Sequence, residues 1–345
     1  MLGFSHYLQV MCHIWQFCER GKAQQRRWRS AGRNPKLYRV AAYSNVGLRK
    51  KTNQDSCCAE VAVTPFGDVA LLSVCDGVGG LSAGELASST VIHWLVDWFE
   101  FTFSAQMASA PTSIDALFDL VQSQWEDGLI TLNKVIRSHG RAAGAELGTT
   151  CTVMLLIGGR YLIGHVGDCR VYRFANGGMN IITADQTWVA REVARGNITP
   201  EQARNHQKKN VILQSVGTQT DLMPVFYRGE AHEGDVYMVC CDGFRNELFD
   251  DELLETYGPL SNATTAQLYA ANERLANIVM DRQERDNITA VACTYHEGTN
   301  YDLSHPADTT VMMGNPIVVE QAEQTTRLDI PIFVTPNTRE GDTNG

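Results

Sequence analysis

Four aspartates occupy short polar motifs that are spread along the chain. They are Asp55 in Asn53-Gln54-Asp55, Asp76 in Asp76-Gly77-Val78-Gly79-Gly80, Asp242 in Cys241-Asp242-Gly243 and Asp286 in Asp286-Asn287. Small or turn-forming residues stand beside each carboxylate, and three of the four follow or begin an apolar run. Hard divalent cations take oxygen ligands, and carboxylates at strand ends can converge on such ions in a folded chain. The pattern therefore favours a hydrolase with paired metal ions.

The Asp76 and Asp242 motifs share one pattern, an apolar run followed by an Asp-Gly pair. Residues 70–75 and 236–241 are apolar runs, and an Asp-Gly pair follows each of them directly, at Asp76-Gly77 and Asp242-Gly243. A single Asp-Gly pair usually marks only a turn. Glycine also lets the backbone approach closely, so that a carbonyl can become a ligand beside the carboxylate. The repetition predicts that the two strand ends share one metal site.

Strands and helices that could position these motifs alternate in blocks. Short segments rich in β-branched and aromatic residues predict strands at 37–43, 69–75, 149–157, 160–166, 169–174, 236–241 and 288–295. A Ser82-x-x-Glu85 capping box predicts a helix that runs to about residue 99. Apolar residues at three- and four-residue steps predict a second helix from Ile114 to Ile136, and a third precedes Asp286. This order predicts an α+β fold, with helices covering mostly antiparallel sheets.

Composition limits the class of protein. The chain has 345 residues and 44% hydrophobic content, which predict one large domain with tails. Its formal net charge of -10 argues against nucleic acid as a partner. No segment reaches the roughly 18 uninterrupted apolar residues of a transmembrane span, and the N-terminus lacks the pattern of a secretory signal. The ten cysteines contain no C-x-x-C pair, which predicts reduced thiols in a cytoplasmic protein.

The two ends of the chain differ in charge from residues 37–296, which we predict to form the catalytic domain. Residues 1–36 form a basic extension, with seven basic and no acidic residues between Arg20 and Lys36. We predict a flexible leader, with an anchor on anionic lipid as the alternative. Residues 297–345 hold eight acidic and two basic residues and predict a flexible acidic tail. Its paired threonines at 309–310 and 325–326 raise the alternative of a phosphorylated docking segment.

The ordered motifs resemble those of the metal-dependent protein phosphatases of type 2C, in their compact bacterial form. The matching set comprises residues 47–55, Asp76-Gly77-Val78-Gly79-Gly80 with Gly84, Gly148-Thr149-Thr150, Gly167-Asp168-Cys169-Arg170, Asp185-Gln186-Thr187, Cys241-Asp242-Gly243 and Asp286-Asn287-Ile288-Thr289. Residues 189–217 are similar to the flap subdomain of those enzymes, which we place at about 186–217. The resemblance covers about residues 38–295 and implies a β-sandwich of two mostly antiparallel sheets flanked by helices.

The resemblance implies a role for each matching residue. The implied metal ligands are Asp55, Asp76, the Gly77 carbonyl, Asp168, Asp242 and Asp286. Asp76 would bridge two catalytic Mn²⁺ or Mg²⁺ ions, and Asp168 would hold a third, weaker ion near the flap. The activity implied is hydrolysis of phosphoserine and phosphothreonine in proteins by a water that bridges the two metals. Phosphoprotein substrates and an opposing bacterial Ser/Thr kinase are the implied partners.

Some positions depart from the family pattern. Lys50 stands where the bacterial pattern has a phosphate-binding arginine, and Arg49 precedes it, so either residue is a candidate to bind phosphate. Lysine keeps the charge of arginine but lacks its bidentate fork. The histidines His93, His165 and His206 are interpreted as packed or surface residues, and none of them as the general acid.

Two other functions stay open at this point. One is a pseudophosphatase, which keeps the fold and binds phosphoproteins without turnover. The other is a small-molecule phosphomonoesterase that uses the same metals. The presence of all four candidate catalytic aspartates favours the protein phosphatase over the pseudophosphatase.

Overall fold

The structure is a computed structural model, which describes residues 38–64, 67–79, 83–109, 111–296 and 317–319. The strands are β1 (Tyr38–Asn45), β2 (Ser56–Thr64), β3 (Gly67–Cys75), β4 (Gly77–Gly79), β5 (Leu147–Thr149), β6 (Cys151–Ile157), β7 (Arg160–Val166), β8 (Arg170–Ala175), β9 (Gly178–Ile181), β10 (Val225–Glu230), β11 (Val236–Cys240), β12 (Ile288–Tyr295) and β13 (Ile317–Val319). The helices are α1 (Ala83–Asp97), α2 (Ser104–Ala108), α3 (Ile114–Ala143), α4 (Trp188–Ala194), α5 (Pro200–Arg204), α6 (Asp242–Arg245), α7 (Asp250–Tyr257) and α8 (Thr265–Asp281). A π-helical segment, Trp98–Phe103, joins α1 to α2, and Leu260–Asn262 forms a 3₁₀ turn.

Two antiparallel sheets pack face to face between layers of helices. The first sheet has the order β1-β12-β11-β8-β9, and the second has the order β10-β7-β6-β3-β2-β13. Helix α8 covers the outer face of the first sheet at β1 and β12, and α1 covers the second sheet at β2 and β3. The predicted α+β sandwich with flanking helices is confirmed.

The alternation of side chains along the strands explains these layers. In β3, Ala70, Leu72 and Val74 point into the core between the sheets, whereas Val69 and Leu71 pack under the helices. Both faces of this strand are therefore apolar, as expected for a strand covered on both sides. The same period of two is followed across β6, which pairs with β3.

The long helix α3 confirms its predicted pattern. The side chains predicted to be inward, from Leu117 to Ile136, are buried, and Trp125 is fully enclosed. Ser113 caps the start, because its side chain accepts a hydrogen bond from the Ala116 backbone N–H, and Gly144 ends the helix with a φ of 64°. The third predicted helix is also present, as α8.

Other elements differ from the sequence prediction. The predicted 149–157 strand is divided into β5 and β6, because the Thr150 backbone turns aside to bond Asp76. The first predicted helix continues through the π-helical segment into α2, and its predicted cap, Ser82, lies outside the described residues. Strands β2, β4, β9, β10 and β13 were not predicted.

The predicted terminal extensions fall largely beyond the described part of the chain. The basic residues 1–36 lie outside it, and of the acidic tail only Ile317–Val319 belongs to it. These three residues pair antiparallel with β2, where Val318 stands opposite Cys58. No helix in the described ranges has the length and apolarity needed to cross a membrane.

Candidate metal centre

The four aspartates lie at the ends of strands from both sheets. Asp76 follows β3 and Asp55 precedes β2, and the pairing of Ser56 with Cys75 places these two carboxylates at the same end of the second sheet. Asp242 follows β11, and Asp286 precedes β12, which is the neighbour of β11 in the first sheet. The fold therefore brings together carboxylates that are up to 231 positions apart in sequence.

Glycines allow the motifs to approach one another. A Cβ on Gly77 would lie 2.4 Å from the Gln54 carbonyl oxygen and 2.5 Å from the Gly84 carbonyl oxygen. A Cβ on Gly243 would lie 2.1 Å from the Asn287 carbonyl oxygen. Only a residue without a side chain fits at these two positions, so the Asp-Gly pairs are required by packing as well as by the turn.

Mutual repulsion among the carboxylates is visible at Asp76. Burial raises the pKa of Asp76 well above its usual range, and the charges of Asp55, Asp242, Asp286 and Asp168 raise it further. The backbone around Asp76 is fixed, because its N–H donates to a threonine hydroxyl of the β5–β6 bend at 2.8 Å. Protonation or a bound cation relieves the repulsion in a rigid group of like charges.

Burial and neighbouring carboxylates also disfavour the charged form of Asp55. Burial raises its pKa to about 7, hydrogen bonds from Thr289 and Cys241 lower it in part, and the charges of Asp286 and Asp242 raise it again. Thr289 lies in β12 of the first sheet and Cys241 directly follows β11 of that sheet, whereas Asp55 directly precedes β2 of the second sheet. Asp55 is therefore oriented by the strands that carry the opposing pair of aspartates.

Three buried carboxylate oxygens in this region have no hydrogen-bond donor among the described residues: Asp55 Oδ2, Asp168 Oδ1 and Asp242 Oδ1. Unpaired buried oxygens are costly unless something else binds them. Oxygen donors of this kind suit Mg²⁺ and Mn²⁺.

No three Asp, Glu, His or Cys side chains among the described residues form a set able to hold an ion alone. A site for Mg²⁺, which keeps several waters and uses one or two carboxylates, does not need such a set. The residues present thus fit a pair of hydrated divalent ions.

Lys50 and Arg49 have different environments. The Lys50 Nζ contacts Asp286 Oδ1 at 2.9 Å, and Asp286, Asp76 and Asp55 raise the pKa of Lys50 against the effect of burial. Arg49 Nη2 instead donates to Gln283 at 3.4 Å on the exposed surface. Of the two predicted phosphate-binding residues, Lys50 is the one beside the carboxylates.

Asn287 was part of a predicted motif, but its role was not foreseen. Its Oδ1 accepts the Gln54 backbone N–H at 3.0 Å, and its Nδ2 donates to the carbonyls of Val46 and Thr52. One side chain thus fastens the 46–55 loop, which carries Lys50 and leads to Asp55, to the start of β12. The signal was the Asp-Asn pair itself, since asparagine often bonds nearby backbone.

Asp168 lies beside two arginines. Arg170 forms two hydrogen bonds with Asp185, at 2.7 and 2.8 Å, and the Arg245 Nη2 lies 3.3 Å from the same carboxylate and 3.0 Å from the Asp168 carbonyl oxygen. Burial raises the pKa of Asp168 to about 7, with a contribution from Asp242, and Arg245 opposes this rise. Arg245 was not singled out from the sequence, although its position three residues after Asp242 puts both on one helical turn.

The flap segment, residues 186–217, begins next to this group. The Gln186 N–H donates to the Gly167 carbonyl, and the Gly167 N–H donates to Gln186 Oε1, both at 2.8 Å. The end of the segment comes back to its start, where Thr187 and Ile212 form an isolated antiparallel β-bridge. Its ends are therefore held beside Asp168, and the part between them contains the short helices α4 and α5.

The histidines are packed or on the surface, as predicted. His165 is fully buried, bonds Thr152 Oγ1 at 2.9 Å and the Ala184 carbonyl at 3.1 Å, and burial lowers its pKa to about 4. His93 bonds the Ser89 carbonyl one turn back in its own helix. Neither contacts the candidate catalytic aspartates.

Comparisons with known proteins agree with this geometry. The family model described as protein phosphatase 2C matches residues 48–280. The serine/threonine protein phosphatase PstP of Mycobacterium tuberculosis is 30% identical over 264 residues, which cover 74% of this chain and 44% of PstP. The chain therefore matches less than half the length of that relative.

Solved structures give the same result. The serine/threonine phosphatase of S. agalactiae is similar with a TM-score of 0.62 and 28% identity, over 75% of this chain and 100% of the other. The catalytic domain of PstP, solved in complex with two manganese ions, is similar with a TM-score of 0.57 and 28% identity, over 76% of this chain and 99% of that domain.

Proposed function

Because the chain belongs to the protein phosphatase 2C family, we propose that it is a metal-dependent serine/threonine protein phosphatase. The observation that carries the proposal is the convergence of Asp55, Asp76, Asp242 and Asp286 at one end of the sandwich. Asp55 and Asp242 each have a buried oxygen that no donor in the described part of the chain satisfies. The relatives in the comparison, which bear the same activity in their names, support it.

The proposal assigns a metal-binding role to each of the site aspartates and to the Gly77 carbonyl. The ligands of two ions are Asp55, Asp76 with the Gly77 carbonyl, Asp242 and Asp286. The bound Mn²⁺ or Mg²⁺ pair would supply Lewis-acid activation of water and neutralise phosphoryl charge. The manganese in the PstP catalytic domain supports this choice of metal. Asp168 is a candidate ligand for a third, weaker ion.

The phosphoryl group needs a cation from the protein as well. We assign this task to Lys50, because its ammonium group already lies among the carboxylates and can exchange Asp286 for a phosphate oxygen. As a point charge, lysine attracts phosphate without the bidentate geometry of arginine. Asn287 keeps the lysine loop in place.

The partners proposed are phosphoproteins and a Ser/Thr kinase whose products the enzyme reverses, in a bacterial cytoplasm. Support for a reducing compartment comes from the eight cysteines of the described residues, which are all buried and form no disulfide with one another. The opposing kinase follows from the chemistry, because a phosphatase for phosphothreonine needs an enzyme that makes it.

A direct assay tests the proposal. The purified full chain is incubated with a phosphothreonine peptide, a nucleotide monophosphate and a sugar phosphate, first with Mn²⁺ and then with excess chelator. We expect turnover of the peptide at the highest kcat/KM, and its loss with the chelator. Faster hydrolysis of the small esters would instead identify a small-molecule phosphomonoesterase. Peptide binding without turnover in Mn²⁺ would identify a pseudophosphatase.

A further inference from the structure

A group of half-buried aromatic rings and exposed lysines lies on the flap segment. The ring of His206 stacks on the ring of Trp188, with centroids 4.7 Å apart and an angle of 26° between the planes. The Lys208 ammonium lies 4.7 Å from the centroid of Trp188. Together with the adjacent Lys209, which is also exposed, these residues are called the flap platform below.

The platform is ordered by its own contacts. The Lys208 backbone N–H donates to Nδ1 of His206 at 3.0 Å, which fixes the ring and its tautomer. A cation over the face of an aromatic ring is attracted to it. The Trp188 ring at the start of α4 is therefore held in one arrangement with His206 and Lys208, which follow α5.

Core packing does not account for these aromatic rings. The flap helices α4 and α5 contain no buried residue, and both lie wholly within the described ranges. Trp188 is only half-buried, in contrast to Trp94, Trp98 and Trp125, which are all enclosed in the helix-covered core. An ordered, partly exposed aromatic group outside the hydrophobic core is characteristic of an interaction site.

The charge of the platform is distinctive. Arg191 and Arg195 on the flap share one carboxylate, that of Glu192, at 3.3 and 3.5 Å. Lys208 and Lys209 take part in none of the ion pairs among the described residues, although the chain has a formal net charge of -10. The platform is therefore a basic surface on an acidic protein, and it favours an acidic partner.

The position of the flap platform near the carboxylate centre favours the substrate as its acidic partner. The flap segment is fastened at Gln186 to Gly167, the residue before Asp168, so the platform belongs to a segment that starts at the carboxylate centre. A substrate chain whose phosphoresidue occupies the centre extends over the neighbouring surface on both sides. We propose that the flap platform binds acidic residues of the substrate, so that the enzyme prefers phosphosites flanked by aspartate or glutamate.

This inference depends on the proposed function, and its kinetic test separates the two. Two phosphothreonine peptides of equal length are compared, one with Asp and Glu flanks and one with Asn and Gln at the same positions. Each exposed lysine–carboxylate contact contributes about 1.4- to 5-fold. We expect kcat/KM to favour the acidic peptide in the native protein, and K208Q/K209Q to reduce this ratio by about 2- to 25-fold. The ratio should also shrink as salt screens the charges.

A control variant is available on the other side of the fold. Arg274 is exposed on α8, which covers the edge of the first sheet opposite to β9, the strand that leads into the flap. The R274Q variant changes the net charge without touching the platform, and its ratio should equal that of the native protein. Equal ratios in K208Q/K209Q and the native protein would overturn the inference while leaving the phosphatase proposal intact.

A binding measurement tests the platform even without turnover. In the D242N variant, saturation with the acidic phosphopeptide should protect Trp188 fluorescence from acrylamide, and W188F should remove the protected component. The other tryptophans of the described residues are already buried. Equal protection by the neutral peptide would overturn the inference. Stronger protection by single-stranded RNA would also overturn it, because aromatic and basic groups bind bases as well.

Discussion

The carboxylate centre should cost stability whenever its cations are absent, and Asp55→Asn provides the measurement. The pKa of Asp55 rises from its ordinary 3.8 to about 7 in the folded protein, chiefly through burial. One pKa unit corresponds to about 1.36 kcal/mol, so the ionised carboxylate destabilises the fold by up to about 4 kcal/mol. Asparagine has nearly the same shape and no charge, and it also removes one source of repulsion at Asp76.

The sign of the pH dependence follows from linkage. The folded protein binds the Asp55 proton more tightly than the unfolded chain does. Stability is therefore lost as pH rises from about 4 to about 7, and the loss is complete above that range. Asp55→Asn should raise the free energy of unfolding at pH 8 by up to about 4 kcal/mol, or roughly 8 °C in Tm at about 2 °C per kcal/mol. Below pH 4 the two proteins should unfold alike.

The assay is denaturant and thermal unfolding of both proteins with a chelator, at pH 8 and at pH 4, and then with Mn²⁺. A ligand at 100 times its Kd stabilises by about 2.7 kcal/mol, and the native protein should gain more from Mn²⁺ than the variant does. Asp127, an exposed aspartate on α3, provides the matched control Asp127→Asn. Equal stability of Asp55→Asn and the native protein at pH 8 in chelator would refute the electrostatic reasoning. A gain of the same size at pH 4 would refute it too.

Three further outcomes follow from the site. Asp242→Asn should abolish Mn²⁺-dependent turnover of a phosphothreonine peptide while circular dichroism stays native, and retained activity would remove Asp242 from the centre. Gly77→Ala should lower both Tm and activity, because its Cβ would lie 2.4 Å from a carbonyl oxygen, whereas Gly178→Ala, with 3.6 Å to its nearest neighbour, should change little. Lys50→Gln should raise KM about 10-fold or more by removing a charge-assisted contact to phosphate. The control Arg49→Gln should leave KM within about 2-fold. A larger rise in KM for Arg49→Gln than for Lys50→Gln would contradict the assignment of Lys50.

Much of the fold could be predicted because strong local patterns agree with tertiary packing. The apolar repeat of α3 is recognisable in sequence, since every third or fourth side chain enters the same core. Strands buried on both faces, such as β6 and β12, appear as continuous apolar runs. The edge strand β10 has half of its residues exposed, so its sequence lacks that signal. Strand β2 directly follows the polar residues Asn53, Gln54 and Asp55 and contains few large apolar side chains, so its sequence gives a weak strand signal.

The resemblance implied a role for each residue of the candidate centre, and those roles stay predictions; the contacts around the centre were not predicted. Motif spacing identified the aspartates, because each motif is local in sequence. The choice between Lys50 and Arg49 depends on which way two adjacent side chains point, and only the folded loop decides it. The proximity of Arg245 to Asp168 joins residues 77 positions apart, so no local pattern could have indicated it.

The buried cysteines can be used to measure how often the fold opens. All eight in the described residues are buried, and burial raises the pKa of thiols such as Cys58 and Cys293, so the reactive thiolate is scarce in the native state. A thiol reagent can modify them only after the sandwich opens. The rate of labelling therefore counts opening events, and the cysteines of β2 and of β12 report on the two sheets separately.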